Sequence, residues 1–321
     1  MGRSGLKVSD LALGTMTWSV ETDADEAAAQ LVAFHDAGGT LIDTAASYGY
    51  GQTEVLLGQL LADVVPRANL MLATKAGITR TPESRVVDCS RGALLRQLDE
   101  SLRRLGLDYV DLWYVHYVDD SVPFEETLSA LDAAVSSGKT RYAGVSNYCG
   151  WRLGRAAAWQ HARPERAPIV ANQMRYSLLD RGVEREVVPA CAELGVGLFP
   201  WSPLGGGVLT GKYRGGVPAD SRVATGHRPD LIAQSPRAAG IVEAVATAAD
   251  GLATSPVAVA LAWLRDRPGV TAPVLGARTL GQLTAALACD SLELPAEISI
   301  ALDDVSAPVI EYPEDVARPE H

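Results

Sequence analysis

The sequence predicts an α/β protein of the (β/α)8 TIM-barrel class, in which eight parallel strands close on themselves inside a ring of helices. Three observations carry this. Short apolar runs with the look of buried parallel strands alternate with segments of helical period along the whole chain. The runs number eight, which favours closure over an open doubly wound sheet. The length of 321 residues exceeds the ~250 of a typical barrel, leaving a visible surplus.

Taken in order, the expected strands cover residues 11–13, 40–43, 70–75, 109–116, 140–146, 169–173, 197–201 and 270–276. The helical segments between them cover 25–37, 53–61, 90–105, 123–136, 151–160, 182–194, 236–265 in two pieces, and 279–288. Leu94, Leu95, Leu98, Leu102 and Leu105 form one apolar stripe on the third of these, with Arg96, Asp99, Glu100 and Arg103 opposite. Ser235-Pro236 and Ser255-Pro256 read as N-caps followed by proline at the first helical position, and Gly38 and Gly138 as left-handed C-caps. Between 201 and 236 lies a glycine-rich stretch without periodicity, a loop of functional length. The chain is expected to be one barrel domain over 1–321, with 307–321 a loose, proline- and acid-rich tail.

Composition narrows the function classes. The chain is 47% apolar, which argues against disorder, and no run approaches the ~20 apolar residues of a membrane span. A net charge of -11 opposes nucleic acid and anionic membrane surfaces, though a local basic pocket for one phosphorylated ligand is compatible with it. The polar N-terminus lacks a signal-peptide layout, and the scattered Cys89, Cys149, Cys191 and Cys289 form no CxxC pair. A cytoplasmic protein with reduced thiols is expected. No HExxH or comparable ligand cluster occurs, so no metal is expected.

In a barrel of this class the chemistry lies where strands end, on the C-terminal face. Asp43 closes the second expected strand, Tyr48 follows it, Lys75 closes the third and His116 the fourth. A buried lysine stays charged beside an aspartate and lowers the pKa of a neighbouring tyrosine, while histidine can hydrogen-bond a carbonyl oxygen. Singly these residues read as an Asx turn, packing or a solvated lysine. Their coincidence at three adjacent strand ends favours catalysis.

Several stretches, in order from Gly14 to about Leu294, resemble the aldo-keto reductases. They are LIDTAASYG at 41–49, TK at 74–75, DYVDL at 108–112 leading to His116, GVSN at 144–147, QMRYSLL at 173–179, SPLGGG at 202–207 with LTGKY at 209–213, and VLGAR at 274–278. Within that family, the YSLL stretch at 176–179 and LTGKY at 209–213 most resemble the bacterial reductases and the related potassium-channel β subunits. The resemblance implies an NADPH-dependent reductase of an aldehyde, ketone or keto-sugar, with Asp43, Tyr48, Lys75 and His116 as a catalytic tetrad and Tyr48 as general acid. It further implies that Ser146, Asn147 and Gln173 hold the nicotinamide carboxamide and that Tyr176 stacks on its ring. Thr15, Met16, Asp43, Trp201, Ser202, Pro203, Leu204, Gly207 and Lys212 would contact the cofactor, the loop after the seventh strand covering its pyrophosphate. Gly276, Arg278 and Gln282 would also contact the cofactor, Arg278 meeting its 2′-phosphate, where a guanidinium fork suits bidentate binding.

The stretch from Gly206 to Lys212 also matches GxxxxGK, but Tyr213 replaces the Ser or Thr that a P-loop needs for magnesium. No GxGxxG or Tyr-x-x-x-Lys pattern supports a Rossmann or short-chain reductase. Relative to the family pattern, Ala285 and Ala286 stand where an acid and an asparagine usually meet adenine, Ser19 where glycine is common, and Trp201 where tyrosine is usual. No proline follows His116. Trp18, Tyr50, Trp113 and Tyr117 are candidate substrate-pocket aromatics for a small carbonyl compound. The sequence leaves open monomer or homo-oligomer. Two alternatives accompany the reductase reading: an NADPH-sensing regulatory subunit with little turnover, and a lyase or isomerase using Lys75 as a Schiff base.

Overall fold

The computed structural model describes residues 1–81, 83–219, 221, 224 and 236–308. In chain order it opens with β1 (Ala12–Gly14), β2 (Leu41–Asp43) and β3 (Met71–Ala76), followed by a separate antiparallel hairpin, β4 (Ile78–Arg80) and β5 (Arg85–Val87). Then come β6 (Val110–Val115), β7 (Thr140–Ser146), β8 (Ile169–Arg175), β9 (Gly197–Trp201) and β10 (Val274–Gly276). Apart from the hairpin, the strands form one parallel eight-stranded sheet in the order β10-β1-β2-β3-β6-β7-β8-β9. The seam is closed just before β10: Leu198 bridges Val270, and the Thr271 N–H donates to the Leu198 carbonyl at 2.7 Å. The strand expected over 270–276 is regular only in its last three residues. Pro273 interrupts it by lacking an N–H, while its carbonyl accepts from Ala12 at 3.0 Å.

The helices are α1 (Ala24–Asp36), α2 (Gln52–Asp63), α3 (Arg91–Leu105), α4 (Phe124–Ser136), α5 (Gly150–His161), α6 (Val187–Leu194), α7 (Pro236–Gly251), α8 (Pro256–Arg265), α9 (Leu280–Leu287) and α10 (Ala296–Ser306). Ser90 caps α3 through the Ala93 N–H, and Ser255 caps α8 through the Ala258 N–H. Gly38 and Gly138 adopt left-handed φ of 83° and 74° after α1 and α4. The proposed Ser235 cap lies outside the described residues, as do most of 220–235 and 309–321 of the expected loop and tail. The helix expected over 182–194 is broken into a short turn, Gly182–Glu184, and α6. Pro189 stands third in α6, within the first turn that tolerates it, so the helix cannot extend far back. The β4–β5 hairpin and α10 were not expected from the sequence.

Alternation along the strands sorts side chains to two layers. Ala12, Leu41, Ala73, Leu112, Tyr114 and Phe199 fill the barrel interior. Leu13, Ile42, Leu72, Trp113, Val115 and Leu198 join the larger core between strands and helices. Continuing the inward set to the C-terminal strand ends gives Asp43, Lys75, Ser146, Gln173 and Trp201, with His116 one step past β6. The interior below is filled, so the polar set can gather only at the barrel's mouth.

Candidate active site

Asp43 is the hub of the mouth. Its Oδ2 accepts from Lys75 Nζ at 2.6 Å and its Oδ1 from Gln173 Nε2 at 2.8 Å, which ties β2, β3 and β8 together. Lys75 also donates to the Thr44 carbonyl at 2.9 Å and to the Tyr48 hydroxyl at 3.3 Å. All three ammonium protons are therefore directed. The Tyr48 and His116 rings meet edge to face at 6.0 Å, and the backbone N–H of His116 donates to the Ala76 carbonyl at 2.8 Å. The structure thus brings the four candidate catalytic side chains together around one point.

Burial sets their charges. Burial alone would depress the Lys75 ammonium, but Asp43 and then Tyr48 outweigh it and lift its pKa above the ordinary value. Lysine remains charged. For Tyr48 burial is the largest influence and raises the pKa, while Lys75 pulls it down without prevailing. Lys75 thus acts in the expected direction but is outweighed by burial: the phenol keeps its proton, and Lys75 offsets part of the cost of losing it. His116 lies well below the usual imidazole value, through burial first and then the positive charges of Lys75, Arg85 and Arg80. It is neutral, and its buried Nδ1 has no hydrogen-bond partner among the described residues.

Beside this cluster lies a polar shelf. Ser146 Oγ donates to the Gln173 carbonyl at 2.9 Å, Asn147 Nδ2 to Ser146 Oγ at 3.0 Å and to the His116 carbonyl at 3.2 Å, and Trp201 Nε1 to Asn147 Oδ1 at 3.3 Å. Thr15 Oγ1 donates to the Asp43 carbonyl at 3.1 Å, and Met16 next to it is half exposed. After Trp201 the backbone turns left-handed at Ser202 (φ 56°) and again, past Pro203, at Gly205 to Gly207, and the Gly206 N–H donates to Ser202 Oγ at 3.1 Å. Leu204 packs onto the outer core. A Cβ on Gly207 would stand 3.1 Å from Lys212 Nζ, so the glycine leaves room for that ammonium. Past Gly276, the Arg278 N–H donates to Gln282 Oε1 at 3.0 Å, and its guanidinium stands 3.7 Å from Glu21.

Three aromatic expectations are corrected. Tyr176 is sealed in the outer core, where its hydroxyl donates to Glu184 at 2.7 Å and its ring packs edge to face on Trp263. Outward parity at the end of β8 puts it there, and Trp201, on the inward parity of β9, is the aromatic that faces the mouth. Trp18 is fully buried with its Nε1 bonded to Gln30 Oε1 at 3.0 Å, and Trp113 points outward from β6. Neither reaches the mouth. Tyr50 and Tyr117 remain exposed on the loops after β2 and β6. Sequence reasoning missed Thr44, whose backbone holds Lys75, and Arg80 and Arg85 on the hairpin. Its β-branched arms around the polar stretch at 81–84 were the available signal.

The family model for the Aldo/keto reductase family matches residues 10–307. The chain belongs to this family. It is 36% identical over 314 residues to the uncharacterized oxidoreductase YrpG of Bacillus subtilis (strain 168), covering 95% of this chain and 94% of that protein. It is 35% identical to the probable voltage-gated potassium channel subunit beta of Oryza sativa subsp. japonica, covering 88% of each. The L-glyceraldehyde 3-phosphate reductase of Escherichia coli (strain K12) is 35% identical over 88% of this chain and 84% of its own length. This aldo-keto reductase is therefore an oxidoreductase that draws on a nicotinamide cofactor. Among the described residues no group of three or more His, Cys, Asp and Glu could hold a metal ion, and no single helix is long and apolar enough to cross a membrane.

The mouth fits a nicotinamide dinucleotide. Its inward face offers the Ser146, Asn147 and Gln173 shelf beside the flat Trp201 ring, the left-handed turn at Ser202–Gly207 gives a close-approach backbone, and Lys212 and Arg278 place cations farther along.

Proposed function

We propose that the protein reduces the carbonyl group of a small aldehyde, ketone or keto-sugar to an alcohol with NADPH, Tyr48 being the general acid. When bound, the cofactor supplies the hydride for the carbonyl carbon. The chain's own residues do the rest. His116, neutral and beside Tyr48, orients the carbonyl oxygen, and Tyr48 delivers the proton to it. Lys75 stabilises the phenolate left behind, and Asp43 holds Lys75 charged and aimed. Ser146, Asn147 and Gln173 orient the carboxamide, with Trp201 in the stacking place first expected of Tyr176.

The observation that carries this reading is the connected chain Asp43–Lys75–Tyr48 facing His116 at the mouth. Single-turnover oxidation of NADPH by a panel of carbonyl compounds tests it. Tyr48→Phe should cost about 100-fold or more in the chemical step. Unchanged turnover in that variant would remove Tyr48 from its role. For the cofactor, fluorescence titration should give tighter binding of NADPH than NADH, with the difference shrinking in Arg278→Ala.

A regulatory subunit that senses NADPH is the second reading, favoured by the likeness to the rice channel-type protein. A stable complex with a dedicated partner and negligible turnover would select it.

A further inference from the structure

The β4–β5 hairpin sets two arginines beside the mouth. Its register pairs Arg80 directly with Arg85, a like-charge cross-strand pair that is unfavourable unless something neutralises it. Both residues are exposed, and among the described residues neither makes an ion pair with a carboxylate. Of the acids nearby, exposed Glu83 in the hairpin turn makes no ion pair with either arginine among the described residues, and Asp88 and Asp119 are engaged elsewhere. Asp88 accepts from the Ser90 N–H at 2.9 Å, and Asp119 from the Cys89 and Ser121 N–H groups at 3.0 Å each.

The pair is also aimed and anchored. The Arg85 guanidinium lies 4.7 Å from the ring centre of Tyr117, the residue after His116. The hairpin begins two residues past Ala76, the strand end to which His116 is hydrogen-bonded. Gln97 on α3 clamps its base, accepting from the Gly77 N–H at 2.9 Å and donating to Thr79 Oγ1 at 3.3 Å. Both arginines act electrostatically on buried His116, which places their charge close to the reacting carbonyl. They stand by β3 and β6, across the barrel from Lys212 and Arg278 beside β9 and β10. The cofactor's phosphates therefore have their own cations.

We propose that Arg80 and Arg85 form an anion subsite for the substrate, so that the preferred carbonyl compound carries a phosphate or carboxylate at the end remote from its carbonyl. This rests on the reductase reading for the carbonyl end and on the hairpin alone for the anionic end. Two guanidinium forks suit a tetrahedral dianion especially well.

The test compares matched substrates with the full-length protein: glyceraldehyde 3-phosphate against glyceraldehyde, and 4-carboxybenzaldehyde against benzaldehyde. The wild type should favour the anionic member of at least one pair in kcat/KM, the pair identifying phosphate or carboxylate. Arg80→Gln/Arg85→Gln should lower that anionic-to-neutral ratio by about 10- to 100-fold, with partial recovery in Arg80→Lys/Arg85→Lys. A wild type without preference in either pair, or a ratio unmoved by the double substitution, overturns the subsite. If no carbonyl compound is turned over, the reductase reading fails separately. Calorimetric titration with glycerol 3-phosphate, glycerate and glycerol then decides: binding of an anion but not glycerol, lost in the double variant, upholds the subsite, and no binding overturns it.

Discussion

His116 illustrates how one residue can report on its own environment. The imidazole is buried against Lys75 and within reach of two arginine charges, and its pKa falls well below the ordinary 6.5. The unfolded chain therefore binds a proton near pH 6.5 that the folded chain refuses. Stability attributable to this group is complete above that value and falls as the pH drops toward the folded pKa, with a slope of at most about 1.4 kcal/mol per pH unit. Denaturant unfolding at steps from pH 7.5 to 5 should show this slope, and His116→Asn should flatten it whatever it does to absolute stability. An equal slope in both proteins would mean that His116 is not held neutral. The residue types and strand-end positions of Asp43, Lys75 and His116 were readable because inward parity at a strand end is a sequence property. The fate of Tyr176 was not, since parity fixes a direction only once the strand's true end is known, and β8 runs two residues past its expected limit.

At the scale of elements, the mouth depends on how α2 and α3 meet β3. A Cβ on Gly58 of α2 would come within 2.7 Å of the Leu105 carbonyl at the end of α3, so the helices approach backbone to backbone. Glu54, also on α2 and fully buried, accepts from Arg104 Nε on α3 at 2.8 Å and from Thr74 Oγ1 on β3 at 2.6 Å. Thr74 precedes Lys75, so this triad fixes the strand that carries the ammonium. Removing one partner of such a pair strands a buried charge, typically at about 3–5 kcal/mol, whereas replacing both by apolar groups costs less. Arg104→Leu should therefore lower stability by about 3 kcal/mol, and Glu54→Leu/Arg104→Leu by less, as read from chemical denaturation midpoints. A double variant worse than the single would refute this balance. The helices themselves were legible from leucine stripes, caps and C-terminal glycines. The triad was not, because Glu54 has a polar residue's composition in a core position that only the tertiary approach of three elements makes tolerable.

For the molecule as a whole, net charge and local charge oppose each other. The chain carries -11, yet Lys212, Arg278, Arg80 and Arg85 sit around one end of the barrel. A cation about 4 Å from a phosphate contributes about 1 kcal/mol even at the dielectric constant of water. A charge roughly 20 Å away, with screening over about 10 Å at 0.1 M salt, contributes only about 0.03 kcal/mol, so eleven excess negative charges together fall short of one contact. The local cations prevail. Consequently the affinity for NADPH should weaken as salt rises from 0.02 to roughly 0.5 M, although mean charge alone would predict strengthening as repulsion is screened. Lys212→Ala/Arg278→Ala should remove most of that dependence or reverse its sign, as measured by fluorescence titration at each ionic strength. A wild-type affinity that rises with salt would show that the diffuse acidic field, and not the cations at the mouth, governs how this protein meets its anionic ligands.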